Sequence, residues 1–165
     1  MDRDEELLLA VLNSAPVVDG RPTDDLDDAS GPELAQRWGG VGTEDELERL
    51  RTARDALQAV VRSGAPAAVA ELTGLVARTV RTPRVTGEGV AWELSAPEPD
   101  RLAVEAVLAW SAVNARFPGR LRACANHECN LFLLDRSRPG TAKWCSMATC
   151  GNRMKARAHA SRSRG

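Results

Sequence analysis

The chain has 165 residues, of which 43% are apolar and 27% charged, with a formal net charge of −1. That length suits one or two domains with a genuine core, and no apolar run reaches the roughly 18 residues that a membrane-spanning helix needs. The near-neutral total hides a division: residues 1–115 hold 11 Lys+Arg against 21 Asp+Glu, net −10, whereas residues 116–165 hold 11 against 2, net +9.

Residues 4–13 (DEELLLAVLN) predict a short helix whose acidic first turn suits the positive end of the helix dipole. Asn13 ends it, its side chain expected to bond nearby backbone. Residues 14–31 (SAPVVDGRPTDDLDDASG) read as a loop. Five Asp fall between positions 19 and 28, but the alternating ligands, central Gly and closing Glu of a calcium loop are missing. A solvated, mobile acidic loop is expected there. A short helix over 32–38 starts on Pro32 and stops at Gly39-Gly40.

Thr43-x-x-Glu46 is a capping box. It opens the clearest helix of the body, with Leu47, Leu50, Ala53, Leu57 and Val60-Val61 at helical spacing and Glu48, Arg49 and Arg54 expected largely on the outer face. Gly64 ends it. Pro66 starts another helix, residues 67–78, with Val69, Leu72 and Val76 inward. The period then changes: residues 80–85, Gly87-Glu88-Gly89 and residues 90–94 suggest a hairpin. Val90, Trp92 and Leu94 alternate as one buried strand face would, and such a hairpin is expected to pack on the helices. Residues 97–116 form the last helix of the body, with Leu102, Ala106, Ala109, Trp110 and Val113 as its apolar stripe. Pro118-Gly119 marks a hinge, so the chain divides into residues 1–118 and 119–165.

All four cysteines lie past that hinge: Cys124, Cys129, Cys145 and Cys150, as two C-x4-C pairs with fifteen residues between them. Four thiolates converging on one point at about 2.3 Å are the ligand set of a structural zinc site. Two disulfides are the competing use of four cysteines, and His127 is a substitute ligand. The spacer suits a hairpin: Leu131–Leu134 outward, a turn at Ser137-Arg138-Pro139-Gly140, and a return through Thr141–Trp144. Residues 147–160 are rich in helix formers, which puts Cys150 near a helix start, where the dipole favours a thiolate.

The run Trp144-Cys145-Ser146-Met147, followed by Cys150-Gly151-Asn152-Arg153, resembles the CGNR zinc finger. Leu121-Arg122-x-Cys124-x-Asn126 and Asp135-x-Ser137-Arg138 agree with it. The resemblance covers about 45 residues. It implies an N-terminal stress-related regulatory domain, in which an Asn at the position of Asn13 lines something, and a finger that binds DNA.

The fold class is therefore α+β: a mostly helical domain with a β-hairpin, then a small four-cysteine finger binding Zn2+. No catalytic set is visible, and a zinc ion with four sulfurs has no open position for water, so a non-enzymatic role is expected. The basic C-terminal part points to double-stranded DNA, through Arg136, Arg138, Lys143, Arg153, Lys155 and Arg157, with an Arg153–Asp135 ion pair as a structural rival for Arg153. A DNA-binding transcriptional regulator is the leading reading. The alternatives are a zinc-stabilised protein-interaction module docking an acidic partner, or a small-ligand-binding body. Trp38, Trp92 and Trp110 are candidates for an effector pocket or plain core, and a homodimer is a further expectation. The acidic start, MDRDEE, is unlike a secretory signal, so the chain is expected in the cytoplasm.

Overall fold

The computed structural model describes residues 2–163; the last two residues of the Ser/Arg tail lie outside that range. Helix α1 (Arg3–Leu12) begins where the Asp2 carboxylate accepts the Glu5 amide at 3.0 Å. Its Leu7, Leu8, Val11 and Leu12 are fully buried. The acidic segment that follows is not the mobile loop expected. A small hairpin of β1 (Val17–Val18) and β2 (Arg21–Pro22) turns on Asp19 and Gly20, both at positive φ, as a two-residue hairpin loop with matching twist requires.

Beyond it the chain is clamped to the body. Arg54 donates to both carboxylate oxygens of Asp24, at 2.6 and 2.7 Å, Arg51 pairs with Asp27 at 2.9 Å, and Leu26 is buried. The expectation for Arg54 fails with it. Arg54 lies on the inner side of its helix, buried and paired, because Asp24 of the loop, together with Asp55 beside it at 2.9 Å, supplies the counter-charge that burial demands.

Helix α2 (Gly31–Arg37) leads to α3 (Glu44–Ser63). At the start of α3 the Thr43 hydroxyl accepts the Glu46 amide at 3.4 Å, and the Glu46 carboxylate returns to Gly42 N–H at 2.7 Å, one residue earlier than a simple capping box. Gly64 closes α3 in the left-handed conformation. Helix α4 (Pro66–Val76) buries Ala68 and Leu72, whereas Val69 is exposed rather than inward. Helix α5 (Glu98–Arg116) buries Leu102, Ala106, Ala109 and Val113 as expected. Helices α1, α3 and α5 enclose the core.

Between α4 and α5, strands β3 (Val80–Thr86) and β4 (Gly89–Ser95) pair antiparallel, with Pro83 opposite Trp92 and Val85 opposite Val90. The hairpin forms, but its apolar face is not buried: Val90 and Trp92 are each 56% exposed. Only Leu94, at the hairpin base, is half-buried, and alternation alone cannot say whether a face has a partner. The α+β class stands: helices around one core, with separate two-stranded hairpins. No helix among the described residues is long and apolar enough to cross a membrane.

Candidate metal centre and the cationic helix

The finger begins with β5 (Leu121–Ala123), which pairs with β6 (Phe132–Leu134) in the register Leu121↔Leu134 and Ala123↔Phe132. This corrects the expected hairpin. Leu131–Leu134 pairs backward, so the first cysteine pair sits at the hairpin tip, and residues 135–144 form no strand. The cause is Asp135. Its carboxylate accepts Ser137 N–H at 2.9 Å, Ser137 Oγ at 2.6 Å and Ala142 N–H at 3.0 Å. Arg120 donates to Ser137 O and Arg122 to Gly140 O. The loop's polar groups are thus satisfied without a strand partner. Hydrogen bonds from Ser137 hold the Asp135 pKa below the ordinary carboxylate range against its burial. The Asp135–Arg153 pair considered from the sequence is absent; the arginines near Asp135 are Arg120 and Arg122.

Cys124 leaves β5, Cys129 precedes β6, Cys145 ends the spacer, and Cys150 lies in a π-turn (Met147–Gly151) that opens α6 (Asn152–Arg162). The four sulfurs lie within 4.8 Å of one another. Cys129 Sγ is 3.6 Å from Cys145 Sγ, which is 3.7 Å from Cys150 Sγ. A tetrahedron with arms of about 2.3 Å has edges of about 3.8 Å, whereas a disulfide needs about 2.05 Å. All four are free thiols, and the donor set fits Zn2+. His127 is exposed and outside the cluster.

The surroundings favour a metal thiolate. Asn126, buried, donates to Cys150 Sγ at 3.5 Å, and Cys145 N–H donates to Cys124 Sγ at 3.5 Å. Burial raises the pKa of Cys145 well above the ordinary thiol range, with the neighbouring sulfurs adding to it, and burial also raises that of Cys129. Four crowded sulfurs ionise together only around a cation. Gly151 has a steric reason: a Cβ there would stand 2.9 Å from Met147 Sδ and 3.2 Å from Trp144 Cδ1.

The basic residues singled out from the sequence separate into two groups. Arg136 turns inward to the buried Glu5 carboxylate and stacks 5.6 Å from the Phe117 ring centre. Arg157 pairs with Glu128 at 2.6 Å. Arg138, Lys143, Arg153 and Lys155 make no ion pair among the described residues, and all four are exposed. Arg153 lines an open cleft of about 710 Å³, with His127 and Glu128 on its own side and Asp19 opposite. Helix α6 has no buried residue.

Sequence reasoning missed the fastening of the finger to the body. Asn13 bonds the main chain of Phe132, Asn130 donates to Ala15 O at 2.9 Å, and Arg62 lies 4.5 Å over the Phe132 ring. Leu121 and Phe132 belong to the same apolar cluster as α1, α3 and α5. Only a polar residue at a helix end, Asn13, hinted at this. The three tryptophans do not converge: Trp38 borders a second cleft of about 560 Å³ with Arg3, Glu46 and Arg101, Trp110 packs on the core, and Trp92 is on the exposed hairpin.

Compared with known proteins, residues 120–163 match the family model described as the CGNR zinc finger. No curated protein matches the chain. The C-terminal part is thus a zinc finger of the four-cysteine type, with Cys124, Cys129, Cys145 and Cys150 as its metal set.

Proposed function

We propose that the chain is a DNA-binding transcriptional regulator in which a structural zinc site presents α6 to double-stranded DNA. The observation that carries this reading is the character of α6: it buries no residue, and Lys155, His159 and Arg162, spaced four and three apart, share one stripe. A polar helix that buries no residue of its own is suited to bridging to something else. The major groove, about 12 Å wide, admits a helix, and cations along its length displace counterions from phosphates. Arg138, Lys143 and Arg153 are free to add backbone contacts beside it.

Zinc acts here as scaffold rather than catalyst, because four thiolates leave no site for substrate or water. The setting is the cytoplasm, where thiols stay reduced. The Trp38 cleft is the place for a small effector, since Trp38 Nε1 is buried without an acceptor.

The test is a mobility shift on genomic duplex fragments at several salt concentrations. The double variant Lys155→Ala, Arg162→Ala should flatten the log–log salt dependence by about two phosphates' worth, roughly 0.9 each. An unchanged slope would remove α6 from the contact. Capture of an acidic protein with no duplex binding would favour the interaction-module alternative.

A further inference from the structure

Cross-strand neighbours in an antiparallel pair share a face, and residues two apart along a strand share it too. The register of β3 and β4 therefore sorts their side chains into two sets. One face carries Arg81 and Leu94 at the base, Pro83 and Trp92 in the middle, and Val85 and Val90 near the tip. The other carries Thr82, Arg84, Glu93, Thr86 and Ser95, with Arg84 and Glu93 paired at 2.8 Å, and its apolar members are Val80 at the base and the small Ala91. The large apolar side chains of the first face, by contrast, lie together and bare. Val85 is 83% exposed and Trp92 56% exposed.

A two-stranded hairpin is at best marginally stable in water without something on its apolar face. Large exposed apolar groups gathered on one face mark an interaction site. We propose that this face is covered by the same face of a second copy of the chain, stacked antiparallel about a two-fold axis through the Pro83–Trp92 row.

Charge placement selects this occupant. Arg81 stands at the base of the apolar strip and Glu88 in the turn at its tip, both exposed, and neither makes an ion pair among the described residues. An antiparallel two-fold places each copy's base beside the other's tip. Arg81 of each then lies opposite Val85 of the other and is long enough to reach along the face to that copy's Glu88 in the turn beyond, so the pair forms twice, as an isologous contact requires. A parallel stacking would set Arg81 against Arg81. The two Trp92 rings would meet at the centre, where buried aromatics contribute most. The inference does not rest on DNA binding and is tested without DNA.

The experiment is sedimentation velocity of the full zinc-loaded chain over a concentration series. A monomer–dimer equilibrium is expected. Val85→Thr with Trp92→Ser should leave a monomer with an unchanged far-ultraviolet spectrum. Arg81→Glu alone and Glu88→Arg alone should each weaken dimerisation about five- to tenfold, two surface pairs being lost. The double reversal Arg81→Glu, Glu88→Arg should restore it. A wild-type chain that stays monomeric throughout would overturn the proposal, as would a dimer indifferent to Trp92. Charge reversals that do not rescue one another would overturn the antiparallel arrangement, and they do so even if the Trp92 variant fails to fold.

Discussion

Asn13 pairs with Phe132 as one strand pairs with another: its Nδ2 donates to Phe132 O at 3.2 Å, and its Oδ1 accepts Phe132 N–H at 2.7 Å. The primary amide has the donor and acceptor of a peptide group, so the residue that ends α1 completes the free edge of β6. Removing it leaves both main-chain groups of Phe132 unpaired in a half-buried seam. Asn13→Ala should cost about 1–3 kcal/mol of stability. Asn13→Asp should do no better, since a carboxylate cannot donate to the Phe132 carbonyl. Urea denaturation measures both, and a cost under about 0.5 kcal/mol, the scale of an inert surface change, would deny the seam its importance.

Leu121 and Phe132 sit in the body's apolar cluster, so metal loss should be felt beyond the finger. The purified chain should hold one zinc per molecule. A strong chelator, or Cys145→Ser, should unravel α6 and the spacer, because zinc binding of roughly 10–16 kcal/mol is what folds such sites. It should also lower the melting temperature of the helical body while leaving α1, α3 and α5 formed at room temperature. Circular dichroism and calorimetry on the metal-free chain check this. An unchanged transition would mean the body ignores the metal.

Acid should unfold the chain through two aspartates. Asp24 has its pKa lowered: burial opposes this, but hydrogen bonds from Arg54 and Leu26 outweigh it. Asp135 is lowered as well. With a folded pKa below the unfolded value near 3.9, each contributes stability that is whole above that value and lost as pH falls through the folded one. Their share of the stability should be whole from neutral pH down to about 5 and drop steeply below about 4, on top of the metal release that thiolate protonation brings as pH falls. Asp24→Asn should flatten that drop and weaken the chain at pH 7, because it leaves the buried Arg54 with Asp55, at 2.9 Å, as its one remaining carboxylate. Arg54→Ala should cost about 2–4 kcal/mol, near the lower end of a broken buried pair. Urea midpoints across pH read out all three.

Local rules made the helices and the metal set legible. The apolar stripe of α3 and its Thr43 cap stand in a single window of sequence, and four cysteines at fixed spacing need no fold to be recognised. What escaped, apart from the cysteine set and the β3–β4 hairpin, was the pairing of residues distant in sequence. Arg54 looked like an outward cation because its partner, Asp24, lies thirty residues away. Arg136 looked free to meet phosphate, but Glu5 takes it. The β5–β6 pairing was hidden because Leu131–Leu134 has two possible partners in sequence, and Asp135 decides between them by satisfying the loop. The alternation of Val90, Trp92 and Leu94 correctly marked an apolar face, yet alternation carries no information about what lies against it.

Arg157 and Glu128 yield a sharper test of the DNA reading than deletion of a cation does. The pair closes at 2.6 Å between α6 and the tip of the β5–β6 hairpin, both groups are exposed, and the guanidinium hydrogen bond lowers the Glu128 pKa. In the free chain Arg157 is occupied, and Glu128 holds a negative charge beside the helix that DNA would approach. Arg157→Ala should therefore reduce duplex affinity less than Lys155→Ala does. Glu128→Gln should act in the opposite direction, releasing Arg157 and removing the repelling charge. Affinity should rise a few-fold, and the log–log salt slope should steepen by about 0.9, one further phosphate, with zinc content unchanged. Isothermal titration or fluorescence anisotropy on one duplex at three salt concentrations separates the two effects. If Glu128→Gln weakens binding, Glu128 is holding the helix in place for DNA rather than screening it, and α6 then depends on that pair for its orientation.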